Sequence, residues 1–343
     1  MKVLALLALF IPSLLNATIV RVNNNPVYDP DYIDLQLAVD AASDHDTIHV
    51  EPSGASYGTV ICDKVLVFIG PGFNLSLPNG NPDLQANPIM ATLRSLKLEA
   101  NASGSVVQGL HFDGGTLSGM IVNCVSASIV GNLFEGNLGS IKFDTGTFYS
   151  GVLIKGNYFN PSTSNNEAIN ENVNTTQVFA DVLITNNIFH GDIVFDDQDD
   201  SIGNMVIAHN VLAGTQYKVE GAEFVDNIFT EPAVSLTLNL NTIHHNIAAS
   251  TILPPGNGND NTVDMSTIFS ASASDDARWA LQPGVAGTYP AADGTERGIF
   301  GGNMPYTLSG IPSVPSIYHL QQSSSSVLQG GTLEVTIGTR SND

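Results

Sequence analysis

Apolar and polar residues alternate at a spacing of two around an asparagine that recurs along the middle of the chain. The segment 183–191, LITNNIFHG, is one copy, with Ile184 three positions before Asn187 and Phe189 two positions after it. Alternation at this spacing predicts β-strands with one buried face, whereas a helix would need spacings of three and four. The Asn interrupts the alternation, which predicts a bend between two short strands.

The copies align at steps of 25, 30, 23, 17 and 19 residues on Asn132, Asn157, Asn187, Asn210, Asn227 and Asn246. A short, variable period of this kind is typical of a solenoid, in which each repeat forms one coil. Stacked coils would place the Asn side chains in a ladder at about 4.8 Å, with their amides hydrogen-bonded from coil to coil. Asn also tolerates left-handed backbone angles, so the ladder residues are themselves expected to form the corner.

The segment 34–52, DLQLAVDAASDHDTIHVEP, predicts a short helix followed by a strand near the start of the chain. One face of this helix would carry Leu35, Ala38, Val39 and Ala42. A solenoid leaves unpaired strand edges at its ends, which natural proteins cover. The helix is therefore expected to cap the first coil.

These features together resemble a right-handed parallel β-helix of the pectate-lyase-like type, a repeat fold common among secreted proteins of Bacteroidota. The runs 281–284, LQPG, and 293–302, DGTERGIFGG, strengthen the resemblance because they are similar to the usual ending of that group. The resemblance implies an all-β, right-handed parallel β-helix solenoid with a short N-terminal capping helix. Such a fold is used by lyases, hydrolases, adhesins and inert structural proteins, so it does not determine the function.

Four regions are expected along the chain. Residues 1–17, MKVLALLALFIPSLLNA, have the basic start, apolar stretch and small final residue of a signal peptide, which predicts a secreted or cell-surface protein. Residues 18–58 would form the N-terminal cap, with a strand, the helix and the first rung, and residues 59–305 the β-helix. Residues 306–343 would form a Pro/Ser-rich tail that can hold short strands. No transmembrane segment is expected in the mature chain.

The net charge of −22 disfavours nucleic acid and anionic membranes as partners, because only 11 residues are Lys or Arg. An extracellular polysaccharide or a cell-surface protein remains a suitable partner. Cys62 and Cys124 each lie in an apolar run. This placement favours buried free thiols, and the alternative is the disulfide that export would permit.

Two groups of residues are candidates for holding a metal ion. The position before the ladder Asn is His209, Asp226 and His245 in the last three coils, so these side chains can stack into a metal-binding stripe. The alternative is a polar turn column without a ligand. The second group lies in an acidic loop whose oxygen atoms suit Ca²⁺, although a solvated loop has the same composition. Its carboxylates belong to Asp196, Asp197, Asp199 and Asp200.

Lyases of the resembled fold use a Lys or Arg base beside a cation, which makes basic residues of the coils candidate catalytic groups. The candidates are Lys142, Lys155 and Arg94. Basic residues are sparse, and an anionic polymer would be repelled by so acidic a chain. The sequence therefore favours a secreted or cell-surface scaffold without catalytic activity that contacts extracellular glycan. The alternative is a polysaccharide lyase-type enzyme that uses a Lys/Arg base and Ca²⁺.

Overall fold

The structure is a computed structural model that describes residues 17–341 except 116, 137–140, 147, 162–166, 173–175, 196–200, 273 and 325. Most of its regular elements are strands in stacked parallel sheets, which confirms the predicted all-β parallel β-helix. In chain order the strands are β1 (Ile19–Val22), β2 (Thr47–Val50), β3 (Thr59–Cys62), β4 (Val67–Ile69), β5 (Thr92–Leu93), β6 (Ser95–Leu98), β7 (Val106–Gln108), β8 (His111–Phe112), β9 (Met120–Val122), β10 (Ser128–Val130), β11 (Leu133–Gly136), β12 (Ile141–Phe143), β13 (Phe148–Ser150), β14 (Leu153–Lys155), β15 (Tyr158–Pro161), β16 (Glu167–Glu171), β17 (Val178–Thr185), β18 (Ile188–Phe189), β19 (Asp192–Val194), β20 (Ser201–Ala208), β21 (Val211–Leu212), β22 (Gln216–Lys218), β23 (Ala222–Val225), β24 (Ile228–Phe229), β25 (Ser235–Leu236), β26 (Thr242–His244), β27 (Ile247–Ala248), β28 (Ser316–Gln322) and β29 (Val335–Arg340).

Three parallel sheets form the walls of the coil stack. Sheet 1 has the order β1-β2-β4-β7-β10-β14-β17-β20-β23-β26, with β13 also paired to β17. Sheet 2 has the order β5-β8-β11-β15-β18-β21-β24-β27, and sheet 3 the order β3-β6-β9-β12-β16-β19-β22-β25. The chain visits sheets 3, 1 and 2 in turn, so each coil contributes one rung to each wall. The parallel pairing follows from this, because every coil repeats the direction of the one before.

The interior of the coils is a continuous apolar core built from the inward-facing residue columns. Sheet 2 contributes a stack of Phe112, Phe134, Phe159 and Phe189, whose ring centroids lie 4.9, 4.9 and 4.5 Å apart. The rings are nearly parallel, with interplanar angles of 10°, 6° and 5°. The stack follows directly from the parallel register, which sets equivalent residues of successive coils opposite one another.

The six repeated asparagines are buried and form a continuous hydrogen-bonded ladder. Asn157 shows the pattern, because its Oδ1 accepts from the backbone N and from Nδ2 of Asn132 at 2.9 and 3.1 Å. Its own N and Nδ2 donate to Oδ1 of Asn187 at 2.8 and 3.0 Å, and Nδ2 also donates to the carbonyl of Ile129 at 2.8 Å. The ladder continues in the same way through Asn210, Asn227, Asn246 and Asn259.

A short helix, α1 (Leu35–Ala41), covers the start of the stack. Asp34 caps its first turn by accepting a hydrogen bond from the backbone N of Leu37 at 2.9 Å. The apolar face predicted from the sequence is buried in the core of the coils. Lys64 Nζ donates to carbonyls at the end of the helix, including Asp40 O at 2.6 Å and Ala42 O at 2.8 Å. A cation is favourable there because it faces the negative end of the helix dipole.

A second apolar layer covers the outer face of sheet 2. The outward column directly after the ladder Asn is buried, and the covering layer consists of residues 263–311 apart from 273. Its apolar side chains include Phe269, Trp279, Ile299 and Tyr306, which pack on Tyr158 and its neighbours. The layer contains α2 (Val285–Thr288) and the 3-10 turns Met265–Thr267, Ala277–Trp279 and Leu308–Gly310; two further 3-10 turns are Pro26–Tyr28 and Ala100–Ala102.

The last part of the chain forms an antiparallel hairpin of β28 and β29, whose residues are mostly exposed. Two hydrogen bonds, one between backbone groups and one from a side chain, join it to the region before β5. Ala86 N donates to Ile317 O at 2.8 Å, and Arg340 Nη2 donates to Leu84 O at 2.7 Å. The hairpin therefore lies against the outside of the solenoid and adds nothing to its core.

Cys62 and Cys124 are free thiols buried in the core. Burial raises the pKa of both thiols. The pKa of Cys124 reaches about 12, because the charge of Cys62 adds a smaller electrostatic effect to that of burial. The thiolate is the reactive form of cysteine, so both side chains are expected to be nearly inert in the folded protein.

We expect a disulfide reagent such as DTNB to modify both thiols at least about a hundredfold more slowly in the folded protein than in concentrated guanidinium. Burial blocks access and suppresses the thiolate, and unfolding removes both effects. The measurement is the absorbance of the released thiol at mildly alkaline pH, with the denatured protein as control for the total count. Rapid modification of either thiol in the native protein would contradict the buried placement.

Candidate functional site

The corner of each coil with a ladder Asn lies one residue before that Asn. This preceding residue has a left-handed backbone conformation in all six of these coils. The φ angles are 59° at Gly131, 63° at Gly156, 56° at Asn186, 52° at His209, 58° at Asp226 and 53° at His245. The expectation that the ladder Asn itself takes left-handed angles is therefore wrong. The sharp bend is made one residue earlier, which leaves the ladder Asn free to direct its amide along the stack.

The column of corner residues is the docking surface for residues 290–302, which we call the closing segment. Asn186 Nδ2 donates to Ile299 O at 2.8 Å and to Gly301 O at 2.9 Å. Two coils further on, the backbone carbonyl of Asp226 accepts from Gly298 N at 2.8 Å. The side chain of Asn186 and the backbone of Asp226 thus hold a segment from far along the chain.

Arg297 anchors the closing segment to the coils. It is buried, with only 2% of the residue exposed. Its guanidinium forms an ion pair with Asp260 Oδ2 at 2.8 Å. It also donates to the carbonyls of Pro290 at 3.0 Å, Asn246 at 3.1 Å and Gly258 at 2.9 Å. The planar donor fork of Arg suits several acceptors at once, so one side chain joins the closing segment to the last coil.

Two residues of the predicted stripe meet a third group from the closing segment. His209 Nε2 lies 3.6 Å from Asp226 Oδ2 and 3.6 Å from Asp293 Oδ2. One ligand atom from each of the three side chains lies within 4.8 Å of the other two. His209 and Asp226 are buried, whereas 37% of the Asp293 side chain is exposed. The site is therefore closed on the side of the coils and open to solvent beside Asp293.

The two carboxylates of this cluster are in different electrostatic environments. Burial raises the pKa of Asp226 above its ordinary value, although a hydrogen bond from Ala292 N and the nearby His209 oppose this. Burial also opposes ionisation of Asp293, but hydrogen bonds from Thr295 outweigh it and the pKa of Asp293 is lowered. A bound cation would favour the ionised form of both groups.

His245, the third member of the predicted stripe, faces elsewhere. Its Nδ1 lies 3.0 Å from Nδ1 of His244, whose Nε2 is 2.8 Å from Glu223 Oε1. Asp293, and not His245, is the third member of the cluster, and in the sequence it was noted only as part of the closing motif. Strand periodicity cannot relate Asp293 to the corner column, because it lies outside the repeat.

The acidic-loop residues Asp196, Asp197, Asp199 and Asp200 lie outside the described residues. Asp192, just upstream, is buried and has a structural role. Its Oδ1 accepts from Thr215 N at 2.7 Å and from Gln216 N at 2.8 Å, which joins two successive coils.

Burial and, less strongly, Arg278 lower the pKa of nearby His190 to about 4, so this imidazole is neutral at physiological pH.

The three candidate catalytic cations lie on different parts of the coil wall. Arg94 is exposed between β5 and β6, and Lys142 lies in sheet 3, where its Nζ is 3.3 Å from Asp144 Oδ1. Lys155 lies in sheet 1 beside a cavity of about 50 Å³ that Gly131 also lines. Since sheets of a β-helix face different directions, the structure does not gather these cations into one site.

Lys142 belongs to a regular polar surface on sheet 3. We define the sheet 3 face as two outward rows that alternate with core residues. The first row runs in register through Ile61, Lys97, Ile121, Lys142, Asn170, Val194 and Lys218. The second row comprises Asp63, Glu99, Asn123, Asp144, Asn172 and Glu220.

The described residues of the sheet 3 face carry three ammonium groups and four carboxylates, several of which are paired within or between coils. Lys97 Nζ lies 2.7 Å from Glu99 Oε1, and Asn123 Nδ2 donates to Glu99 Oε2 at 3.2 Å. Asn172 Nδ2 donates to Asp144 Oδ1 at 3.1 Å. This face presents paired amides, carboxylates and ammonium groups at the coil repeat on an otherwise acidic protein.

The sequence matches no protein-family model, and neither the curated proteins nor the solved structures contain a match to it. Within the part of the chain that the structure describes, no helix is both long and apolar enough to cross a membrane. The corner cluster and the sheet 3 face are therefore the features of the molecule that bear on its function.

Proposed function

We propose that the protein is exported and acts as an extracellular or cell-surface scaffold that contacts glycan without transforming it. The observation that carries the proposal is the sheet 3 face, whose polar side chains repeat hydrogen-bond donors and acceptors from coil to coil, interrupted by Ile61, Ile121 and Val194. Sugar hydroxyls both donate and accept hydrogen bonds, so they suit alternating amide and carboxylate groups. The face has nearly balanced charge, and a neutral polysaccharide would avoid the repulsion that the net charge of −22 imposes on anionic polymers.

The binding test compares Lys142→Ala with Lys155→Ala, a matched change on a different sheet. We expect Lys142→Ala to weaken binding of neutral polysaccharides about three- to tenfold, which corresponds to the loss of one exposed hydrogen bond of about 1 kcal/mol. Lys155→Ala should bind like the unmodified protein. Affinity electrophoresis in gels containing neutral polysaccharides gives the readout. Equal retardation with and without polysaccharide for the unmodified protein would refute glycan contact.

A polysaccharide lyase is the second candidate, and Lys155 is the observation that favours it. Burial lowers the pKa of this ammonium group, as a general base requires. The adjoining cavity of about 50 Å³ holds only a few water molecules, which is too little for a sugar ring. The size of the cavity thus makes the scaffold the better-supported proposal.

We expect no release of unsaturated uronides from pectate, alginate or glycosaminoglycans, with or without Ca²⁺. The readout is the ultraviolet absorbance of the unsaturated product over long incubation. Turnover that is abolished both by a chelator and by Lys155→Ala or Lys142→Ala would overturn the scaffold proposal and establish the lyase. Sequencing the N-terminus of the extracellular protein tests export separately, with Thr18 expected as the first residue.

A further inference from the structure

The corner cluster joins two parts of the protein that are otherwise separate in the chain. His209 and Asp226 follow β20 and β23, which pair in register, so they occupy equivalent corners of adjacent coils. Asp293 belongs to the closing segment, which lies outside the repeat. Any ligand bound by all three side chains would therefore connect the closing segment directly to the coil stack.

Each carboxylate has one oxygen held by the protein and the other directed at the imidazole. Asp226 Oδ1 accepts from Ala292 N at 2.8 Å, and Asp293 Oδ1 accepts from Thr295 N and Oγ1 at 2.9 and 2.6 Å. The Oδ2 atoms are the ones that face His209. Metal-binding carboxylates are commonly oriented in this way, with outer hydrogen bonds fixing the direction of the coordinating oxygen.

The imidazole of His209 is buried without a hydrogen-bond partner among the described residues, whereas the backbone N of His209 donates to Val225 O. Only 10% of its side chain is exposed, its Nδ1 is a buried atom without a partner, and Nε2 stands beyond hydrogen-bond range of both carboxylates. A protonated imidazole paired with carboxylates would approach them to about 2.8 Å. The ring is held instead by Gly301 and Gly302, where an added Cβ would lie 2.8 and 3.0 Å from ring atoms.

We propose that His209 Nε2, Asp226 Oδ2 and Asp293 Oδ2 bind a divalent cation of the Zn²⁺ class that clamps the closing segment to the β-helix. Three ligands at zinc-like bond lengths in tetrahedral geometry stand about 3.4 Å apart, close to the two separations of 3.6 Å observed. Imidazole suits zinc-like ions, whereas Ca²⁺ prefers oxygen ligands alone. The solvent-facing side of Asp293 leaves the fourth position to water.

The test is titration of the untagged, chelator-treated chain with Zn²⁺, Ca²⁺ and Mg²⁺ by calorimetry. We expect one equivalent of Zn²⁺ to bind at least about tenfold more tightly than Ca²⁺, since imidazole discriminates between these ions. His209→Ala and Asp293→Asn should each weaken Zn²⁺ binding at least about tenfold. Titration with Co²⁺ gives a second readout, because tetrahedral coordination produces strong visible absorption that both variants should lose.

Two controls separate the site from other effects. His244→Ala removes an imidazole of the neighbouring His244–His245 pair and should leave Zn²⁺ affinity unchanged. Asp293→Asn is nearly isosteric at a partly exposed position, and its melting midpoint in chelator should match that of the unmodified chain. Absence of Zn²⁺ binding, unchanged affinity in both cluster variants, or equal affinity for Ca²⁺ would overturn the proposal.

Discussion

Replacing Asn187 by Ala is expected to lower the free energy of unfolding by about 3–5 kcal/mol, because several buried groups lose their partners at once. Asn187 Nδ2 donates to the carbonyls of Ile154 and Thr185, both at 2.9 Å, and to Asn210 Oδ1 at 3.0 Å. Its Oδ1 accepts from the backbone N and from Nδ2 of Asn157. Alanine satisfies none of these groups, and water does not reach them in the core.

Chemical denaturation followed by circular dichroism measures this loss. Asn239→Ala is the matched control, because Asn239 is exposed and makes one hydrogen bond of 3.3 Å to Glu220. The free energy of unfolding of Asn239→Ala should stay within about 0.5 kcal/mol of that of the unmodified protein. Asn187→Asp distinguishes hydrogen bonding from volume, since the carboxylate has the same shape but would face the carbonyl oxygens of Ile154 and Thr185. A milder effect for Asn187→Asp than for Asn187→Ala would argue against the ladder as a hydrogen-bonded structure.

Replacing Arg297 by Ala is expected to cost about 3–5 kcal/mol and to release the closing segment from the coils. Removal of the buried guanidinium leaves three carbonyl acceptors without their donor, a cost of about 1–3 kcal/mol for each acceptor that stays unsatisfied, and removes the ion-pair partner of the partly exposed Asp260. The closing segment should then become a preferred site of limited proteolysis. Arg297→Lys retains the charge but not the donor fork, so an intermediate loss is expected.

Arg278→Ala is the control for the loss of an arginine from the same covering layer. Arg278 is exposed and lies 4.9 Å from the ring centroid of Trp279, an arrangement worth at most about 1 kcal/mol. Melting midpoints and cleavage patterns of the two variants are compared in the presence of chelator, which keeps the result independent of any metal. Equal behaviour of Arg297→Ala and Arg278→Ala would mean that Arg297 does not anchor the closing segment.

The proposed cation and Arg297 act on the same segment by different means. Arg297 joins it to the last coil through its ion pair with Asp260, whereas the corner cluster joins it through Asp293. Ligand binding to the folded state alone adds stability as the logarithm of ligand concentration. Zn²⁺ should therefore restore part of the stability lost in Arg297→Ala only if the corner cluster binds Zn²⁺.

Much of the coil could be predicted because its signal is local and repeated. Ile184 and Phe189 alternate with polar neighbours at strand spacing, and parallel stacking then places them in the core. The ladder followed from the cost of burying an unpaired amide, since Asn recurs at a position flanked by inward residues. The position of the left-handed corner was missed by one residue, because Gly, Asn, His and Asp all tolerate such angles and composition alone does not choose among adjacent positions.

The candidate site was predicted only in part. His209 and Asp226 are related by the repeat, so their proximity could be inferred from the strand register. The sequence could not show that Asp293 belongs to the cluster or that His245 does not. Both facts depend on where the closing segment crosses the corner column. The motif DGTERGIFGG carried the relevant signal, as its last two glycines lie against the imidazole, but the motif alone does not show which side chain it packs on.

By itself, the sequence determined that the chain coils into parallel strands, which residues face inward and where the Asn ladder runs. Those properties depend on side-chain alternation and on the cost of buried polar groups, which act within one coil and its neighbours. Only the tertiary structure decided that the outer face of sheet 2 is covered by residues from beyond the last coil and that Asp293 completes the corner cluster. Such contacts join segments that no periodicity relates, and they accompany the burial of Tyr158 and Ile299 in one apolar cluster.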